Sequence, residues 1–480
     1  MLLWFVIIYW IVSVGIGLWA ALRVKNTGDF AVAGRSLPLY IVTATVFATW
    51  FGSETVLGIP ATFVREGLGG VIADPFGSSL CLVLVGLFFA RPLYRMQLLT
   101  IGDYYRNKYG RAVEALTTVC IVLSYLGWVA AQISALGLVF NVVSEGAMSQ
   151  PTGMMIGAAT VLIYTLWGGM WSVAITDFIQ MIIIVIGMIY IGWNVSTLTG
   201  GVATVVAHAA QAGKFATFLP APNLAAILGF AAAAVTMMLG SIPQQDVFQR
   251  VASSRDEKTA GRASVLGGCL YFCFAFIPMF LAYSATILDP QLVHDLIGSD
   301  KQSQLILPRL VLTHAPVFAQ VMFFGALLSA IKSCASATLL APSVTFTENL
   351  LRPAFKHMSD RQLLRLMRIV VLCFAALVTL FALNSHLSIY KMVENAYKVT
   401  LVSAFVPLAF GLYWRRANAQ GALAAIVLGL TTWLWLEAVA PGAICPPQLA
   451  GLIAALGGML CGSLLPQWYG RERRGAAEAA

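Results

Sequence analysis

Apolar stretches long enough to cross a bilayer recur from one end of this chain to the other, and that repetition leaves few folds open. Lipid offers no partner to a backbone N–H or C=O, so each stretch must be helical. Thirteen such segments lie near residues 2–24, 38–63, 73–95, 112–144, 151–171, 173–198, 222–247, 263–288, 316–346, 366–385, 387–413, 419–440 and 447–466. The fold class expected is an all-α polytopic membrane protein. With 59% apolar and 10% charged residues, a soluble enzyme, a nucleic-acid binder and a disordered scaffold are excluded. The first segment lacks a basic n-region and a small-residue cleavage site, so it reads as a retained helix.

Charge sets the expected orientation. Most of the 29 lysines and arginines fall in alternate loops: Arg23 to Arg35, Arg91 to Arg111, Arg250 to Arg262, Arg352 to Arg368, Arg415–Arg416 and Arg471–Arg474. The other loops hold only Arg65, Lys214, Lys301 and Arg309. This asymmetry predicts a multi-pass protein of the cell's inner (plasma) membrane, N-terminus outside and C-terminus cytoplasmic. Seven of eight cysteines lie in apolar segments, where they act as small hydrophobes, so no disulfide framework is expected. No G-x-x-x-x-G-K-[ST] motif occurs, which disfavours ATP-driven transport.

Residues 38–198 and 222–413 each hold five segments, between an extra N-terminal helix (1–24) and two C-terminal helices (419–466). An odd number makes the second group enter the membrane from the opposite face, an inverted repeat within one transmembrane domain. The first helix of each group is interrupted: Gly52, Gly58 and Pro60 in one, Gly240 and Pro243 in the other. Unwound backbone at mid-depth is tolerated where it lines a cavity. The alternative is a pair of packing kinks.

Several ordered motifs carry a family resemblance. Tyr164-Thr-Leu-Trp-Gly-Gly-Met-Trp-Ser-Val-Ala-Ile-Thr-Asp177-Phe-Ile-Gln180 resembles the signature of the sodium:solute symporter family, as do Gly34-Arg-Ser36-Leu37, Gly240-Ser-Ile-Pro243, Phe324-Gly-Ala-Leu-Leu-Ser-Ala330 and Thr347-Glu348. The resemblance runs from about residue 26 to 420. Ala48-Thr-Trp50, Pro75-Phe-Gly77, Ser134-Ala-Leu-Gly137 and Phe248-Gln-Arg250 look closest to its choline-transporter branch. It implies a LeuT-type five-plus-five inverted-repeat core and sodium-driven uptake of a small polar solute, with no organic cofactor. It also implies a sodium site from the carbonyls of Ala48, Phe51 and Ala330 and the Ser333 hydroxyl. The next ligand is usually another hydroxyl, but here it is Cys334, and a thiol is a poor ligand for a hard cation. Trp50 and Trp128 stand where the choline branch has aromatic residues, and Gln244 where it has a further tryptophan. Asp177 would take part in the ion cycle; an acid also suits a cytoplasmic helix start.

The residues allow an independent check. At about 100° per residue, Ala330, Ser333 and Cys334 share one helix face, a face that equally suits helix packing. Lys332 points nearly opposite, so it reads better as paired with a buried acid, Glu54 being a candidate, than as a substitute for sodium. Lys391, Glu394 and Lys398 form one stripe, with Lys398 about 18 Å into its helix and able to contact substrate, line a gate or pair structurally. With Lys332 and Lys398 set against Glu54, the charge balance favours a carboxylate-bearing solute such as an amino acid or organic acid. Other readings are a proton-coupled or cation-independent exchanger on the same fold, uptake of choline or another quaternary amine, and a receptor that binds solute without transport. The expected partners are the solute, sodium and the bilayer, and not nucleic acid.

Overall fold

The computed structural model describes residues 2–355 and 357–467. Lys356 and the Arg471, Arg473 and Arg474 of the orientation argument lie outside the described residues. The main elements are α1 (Leu2–Ala21), α2 (Leu39–Trp50), α3 (Ile59–Glu66), α4 (Leu68–Arg95), α5 (Arg111–Val143), α6 (Gln150–Leu198), α7 (Leu224–Gly240), α8 (Gln245–Ser253), α9 (Glu257–Leu288), α10 (Val317–Phe346), α11 (Asp360–Asn384), α12 (Ile389–Tyr413), α13 (Ala419–Val439) and α14 (Pro447–Leu464).

Polar caps start many of them. Ser149, Asn223, Asp256, Ser388 and Asn418 each accept a backbone N–H in the first turn of the helix that follows. Among the described residues nine helices are long and apolar enough to cross a membrane, or ten if α7 and α8 form one span bent by 44°. The thirteen expected spans are not all recovered by that test. The first broken helix is too short on either side of its break, α1 qualifies only as a shorter apolar helix, and α6 contains two expected spans in 49 residues. Gly169 bends α6: its φ of 47° suits glycine, and an added Cβ would come within 2.4 Å of the Phe30 carbonyl oxygen.

Both broken helices are anchored at the same face. The Leu37 N–H donates to Ser253 O and the Arg255 N–H to Leu37 O, each at 3.0 Å. Thus α2 leaves the face carrying Arg35, Arg95 and Arg255, and α8 arrives at it, so the two run in opposite senses. A short helix, Ile101–Tyr109, lies at the same end. Its tyrosines satisfy carbonyls along α12: Tyr105 donates to Ala404 O at 2.9 Å and Tyr109 to Pro407 O at 2.7 Å. Ala404 lies inside a widened turn at 401–405 and Pro407 two residues beyond it, on a stretch of irregular helical bonding. Inside the bundle, α2 packs on α6 and α9, and α10 packs on α5 and α6.

Candidate functional site

The break in the first helix begins at Phe51, whose φ of −82° and ψ of 69° turn the chain out of the helix. The Gly52 N–H, the ordinary helical donor to Ala48 O, instead bonds Trp50 O at 3.0 Å. Gly52 is required there: an added Cβ would fall 2.7 Å from a Glu54 carboxylate oxygen and 2.9 Å from the Cys334 sulfur. Cys334 therefore faces this break. In the second broken helix, Ser241 to Gln244 separate α7 from α8.

Beside the first break lies a buried oxygen cluster. Ser333 on α10 donates to Asp177 Oδ1 at 2.6 Å, and Thr45 on α2 donates to Asp177 Oδ2. Thr49 donates to the same Oδ2 at 3.5 Å and accepts from Arg250 Nη2 at 2.7 Å. Asp177 is fully buried and well inside α6, so it does not serve as a solvated helix-start acid. The cluster joins α2, α6, α8 and α10 and offers hard oxygens suited to a small cation.

Next to it is a buried aromatic cluster contributed by four elements, the candidate cage. Trp50 ends α2, Trp128 lies on α5, Tyr271 on α9 and Tyr397 on α12. Trp50 stacks on Tyr397 with centroids 6.1 Å apart, and meets Trp128 at 5.9 Å and Tyr271 at 6.5 Å. Glu54 is 2% exposed and accepts from Trp128 Nε1 at 3.2 Å and Gln132 Nε2 at 2.7 Å. On the side away from the basic loops, a cavity of about 230 Å³ lined by Gly58, Arg65, Ala73, Asp300, Tyr390 and Lys391 opens above the break.

Two expectations are corrected here. Glu54 does not pair with Lys332. The Lys332 ammonium is buried without a hydrogen-bond partner and lies 5.4–5.7 Å from the ring centroids of Trp10, Tyr9 and Tyr164. It points away from the oxygen cluster because it precedes Ser333 by one residue on α10. Lys398 is half-exposed and not a buried cation: α12 turns Tyr397 inward, and the next residue falls about 100° around the helix. Gln244 is buried, with its amide bonded to the Ser124 and Thr400 hydroxyls at 3.0 and 3.3 Å.

Sequence reasoning missed Asp74, Asp246, Gln132, Tyr125, Tyr271 and Tyr397. Asp74 accepts from the Tyr271 hydroxyl at 2.6 Å, and Asp246 from Tyr125. The signal available was an acid inside an apolar span, as Asp74 is within α4.

Two broken helices crossing beside one buried polar site define a secondary transporter. Residues 30–429 match the model of the sodium:solute symporter family. The human high affinity choline transporter 1 is 30% identical over 444 residues, 88% of this chain and 75% of that protein. The sodium/pantothenate symporter of Escherichia coli (strain K12) is 26% identical, with 96% of each chain covered. Among solved structures, a Na+-coupled sialic acid symporter in a substrate-bound outward-open state matches with a TM-score of 0.80 at 20% identity, covering 96% of each chain. Mhp1, a nucleobase-cation-symport-1 family transporter, matches with a TM-score of 0.59 at 14% identity, over 93% of this chain and 97% of that one. The chain belongs to the sodium:solute symporter family. It is a multi-pass membrane transporter, not an enzyme.

Proposed function

We propose that this transporter couples sodium entry to uptake of a small organic cation of the quaternary-ammonium class, such as choline. The observation that carries the reading is the cage of Trp50, Trp128, Tyr271 and Tyr397 with Glu54 bonded to one ring edge. A quaternary ammonium has no N–H to donate, so ring faces and buried negative charge must recognise it. Substrate and ion would reach the cage through the cavity at Gly58 and Tyr390, with the N-terminus outside.

The carboxylate preference loses its basis in the charges around the breaks. Glu54, Asp74, Asp177 and Asp246 are buried there, against Arg250 and Lys332, and Lys398 drops out. Sodium would be held by the released Ala48 carbonyl, Phe51 O, Ala330 O and Ser333 Oγ, next to Asp177. Cys334 is the weak member of that set, and family membership together with the Asp177 carboxylate supports sodium over a proton as the coupling ion. A competition screen tests the substrate class. Choline and other quaternary amines should inhibit uptake. Inhibition by amino acids or organic acids alone would reject this reading and restore the carboxylate one.

A further inference from the structure

We infer that Asp74, together with Glu54, sets the selectivity of the cage by placing negative charge behind its rings, Asp74 acting as a positioning residue through Tyr271. The inference rests on the cationic-substrate reading above.

The arrangement recurs around the cage. Trp128 gives its indole N–H to Glu54, and Tyr271 gives its hydroxyl to Asp74 at 2.6 Å. Tyr125, stacked on Trp128 with centroids 5.9 Å apart, gives its hydroxyl to Asp246. In each case the polar edge of a ring meets a buried carboxylate. Asp246 differs in having a cation on its own helix, Arg250 on the next turn of α8, which bonds the Asp246 backbone carbonyl at 3.0 Å and forms no ion pair with the carboxylate. Among the described residues, neither Glu54 nor Asp74 has a lysine or arginine at ion-pair distance. Asp74 is 1% exposed and leaves an irregular turn of α4, with φ −145° and ψ 123°. Thr55 continues the connection, 3.0 Å from the Tyr271 hydroxyl and donating to Trp50 O at 3.2 Å.

A tyrosine hydroxyl needs only some acceptor, and a carbonyl or amide oxygen would satisfy it. A carboxylate adds two effects. Ionised when a cation occupies the cage, it places a negative charge close to that cation in a low-dielectric site. By accepting the edge proton, it also makes the ring face a better partner for a cation. Both effects act on a charged substrate, and neither acts on an uncharged molecule of the same shape. Asp74 therefore separates a quaternary ammonium from its neutral isostere, whereas the ring walls alone bind both.

The test compares inhibition by choline and by dimethylbutanol, its uncharged carbon isostere, in the full-length transporter at measured membrane abundance. Asp74→Asn should weaken choline about tenfold while changing the isostere less than about twofold. Tyr271→Phe keeps the ring and removes the hydroxyl, with its bonds to Asp74 and Thr55. It should show the same cation-selective loss at about threefold, and it decides the matter if Asp74→Asn does not reach the membrane. Equal weakening of both ligands, or no change in either, would overturn the inference alone. A wild-type protein inhibited by carboxylates and not by choline would overturn the cationic reading and this inference with it.

Discussion

The Ser333 hydroxyl donates to the Asp177 carboxylate at 2.6 Å, joining α10 to α6 beside the break in α2. Thr45 and Thr49 approach the other oxygen of the same carboxylate, so α2 and α10 converge on one acid of α6. Removing that charge by Asp177→Asn should raise the half-saturating sodium concentration about tenfold, and Ser333→Ala should raise it by a smaller factor. Cys334→Ser should lower it by adding a hard oxygen. Sodium titration of transport checks all three. Unchanged sodium activation in every variant would remove this cluster from the ion cycle.

Lys332 makes the opposite prediction. Its ammonium is enclosed by Tyr9 and Trp10 of α1 and Tyr164 of α6, facing away from Ser333. Lys332→Met keeps an unbranched side chain one atom shorter and removes its charge. Transport should stay sodium-dependent, with half-saturation within about twofold of the parent, because cation–π contacts of this size act locally. Sodium dependence abolished by the substitution, or strengthened severalfold, would mean that the ammonium does act at the ion site.

Trp50 and Lys398 separate the cage from the stripe beside it. Trp50→Leu removes the ring that meets Trp128, Tyr271 and Tyr397 and should raise the KM for a quaternary amine about tenfold or more. Lys398→Met should leave that KM within about twofold, since Lys398 is half-exposed and off the Tyr397 face. Uptake kinetics at equal abundance distinguish the two, and a large Lys398 effect would return that residue to the substrate path.

Asp300 bridges two cations lining the cavity on the side away from the basic loops. It bonds Lys391 Nζ at 2.7 Å and also pairs with Arg65, and these cations hold its carboxyl below the ordinary value, Lys391 contributing most. A carboxylate lowered on folding contributes its full stability above its ordinary pKa of about 3.9, and loses it as pH falls through the lower native value. The bridge should therefore persist at neutral pH and fail only in acid. It is partly exposed, so it contributes about 1 kcal/mol or less. Asp300→Asn should loosen it at every pH, read as faster thiol labelling of Thr62→Cys, Thr62 being one of the residues that line the cavity. Equal labelling rates with and without the substitution would show that the bridge does not restrain the opening.

Much of the helical plan was legible because lipid turns long apolar runs into helices. Glycine and proline marked both breaks for the same reason: they fail to support helical bonding at Gly52 and Gly240–Pro243. The helical wheel separated Lys332 from Ser333, since that angle depends only on local geometry. What it could not supply was the partner across the bundle. Tyr271 and Tyr397 look like ordinary apolar-face aromatics in sequence, and only the crossing of α9 and α12 over Trp50 makes them cage walls. Asp74 was hidden similarly, because its meaning depends on a tyrosine 197 positions away. Lys398 was misplaced because depth along a helix says nothing about which side faces the core.

Labelled choline flux into proteoliposomes under an imposed sodium gradient tests the central claim most directly. Choline should accumulate above its external concentration while the gradient lasts and leak out when a sodium ionophore collapses it, with an imposed proton gradient giving no accumulation. Choline flux that merely equilibrates, or accumulation of a carboxylate with choline excluded, would contradict the account.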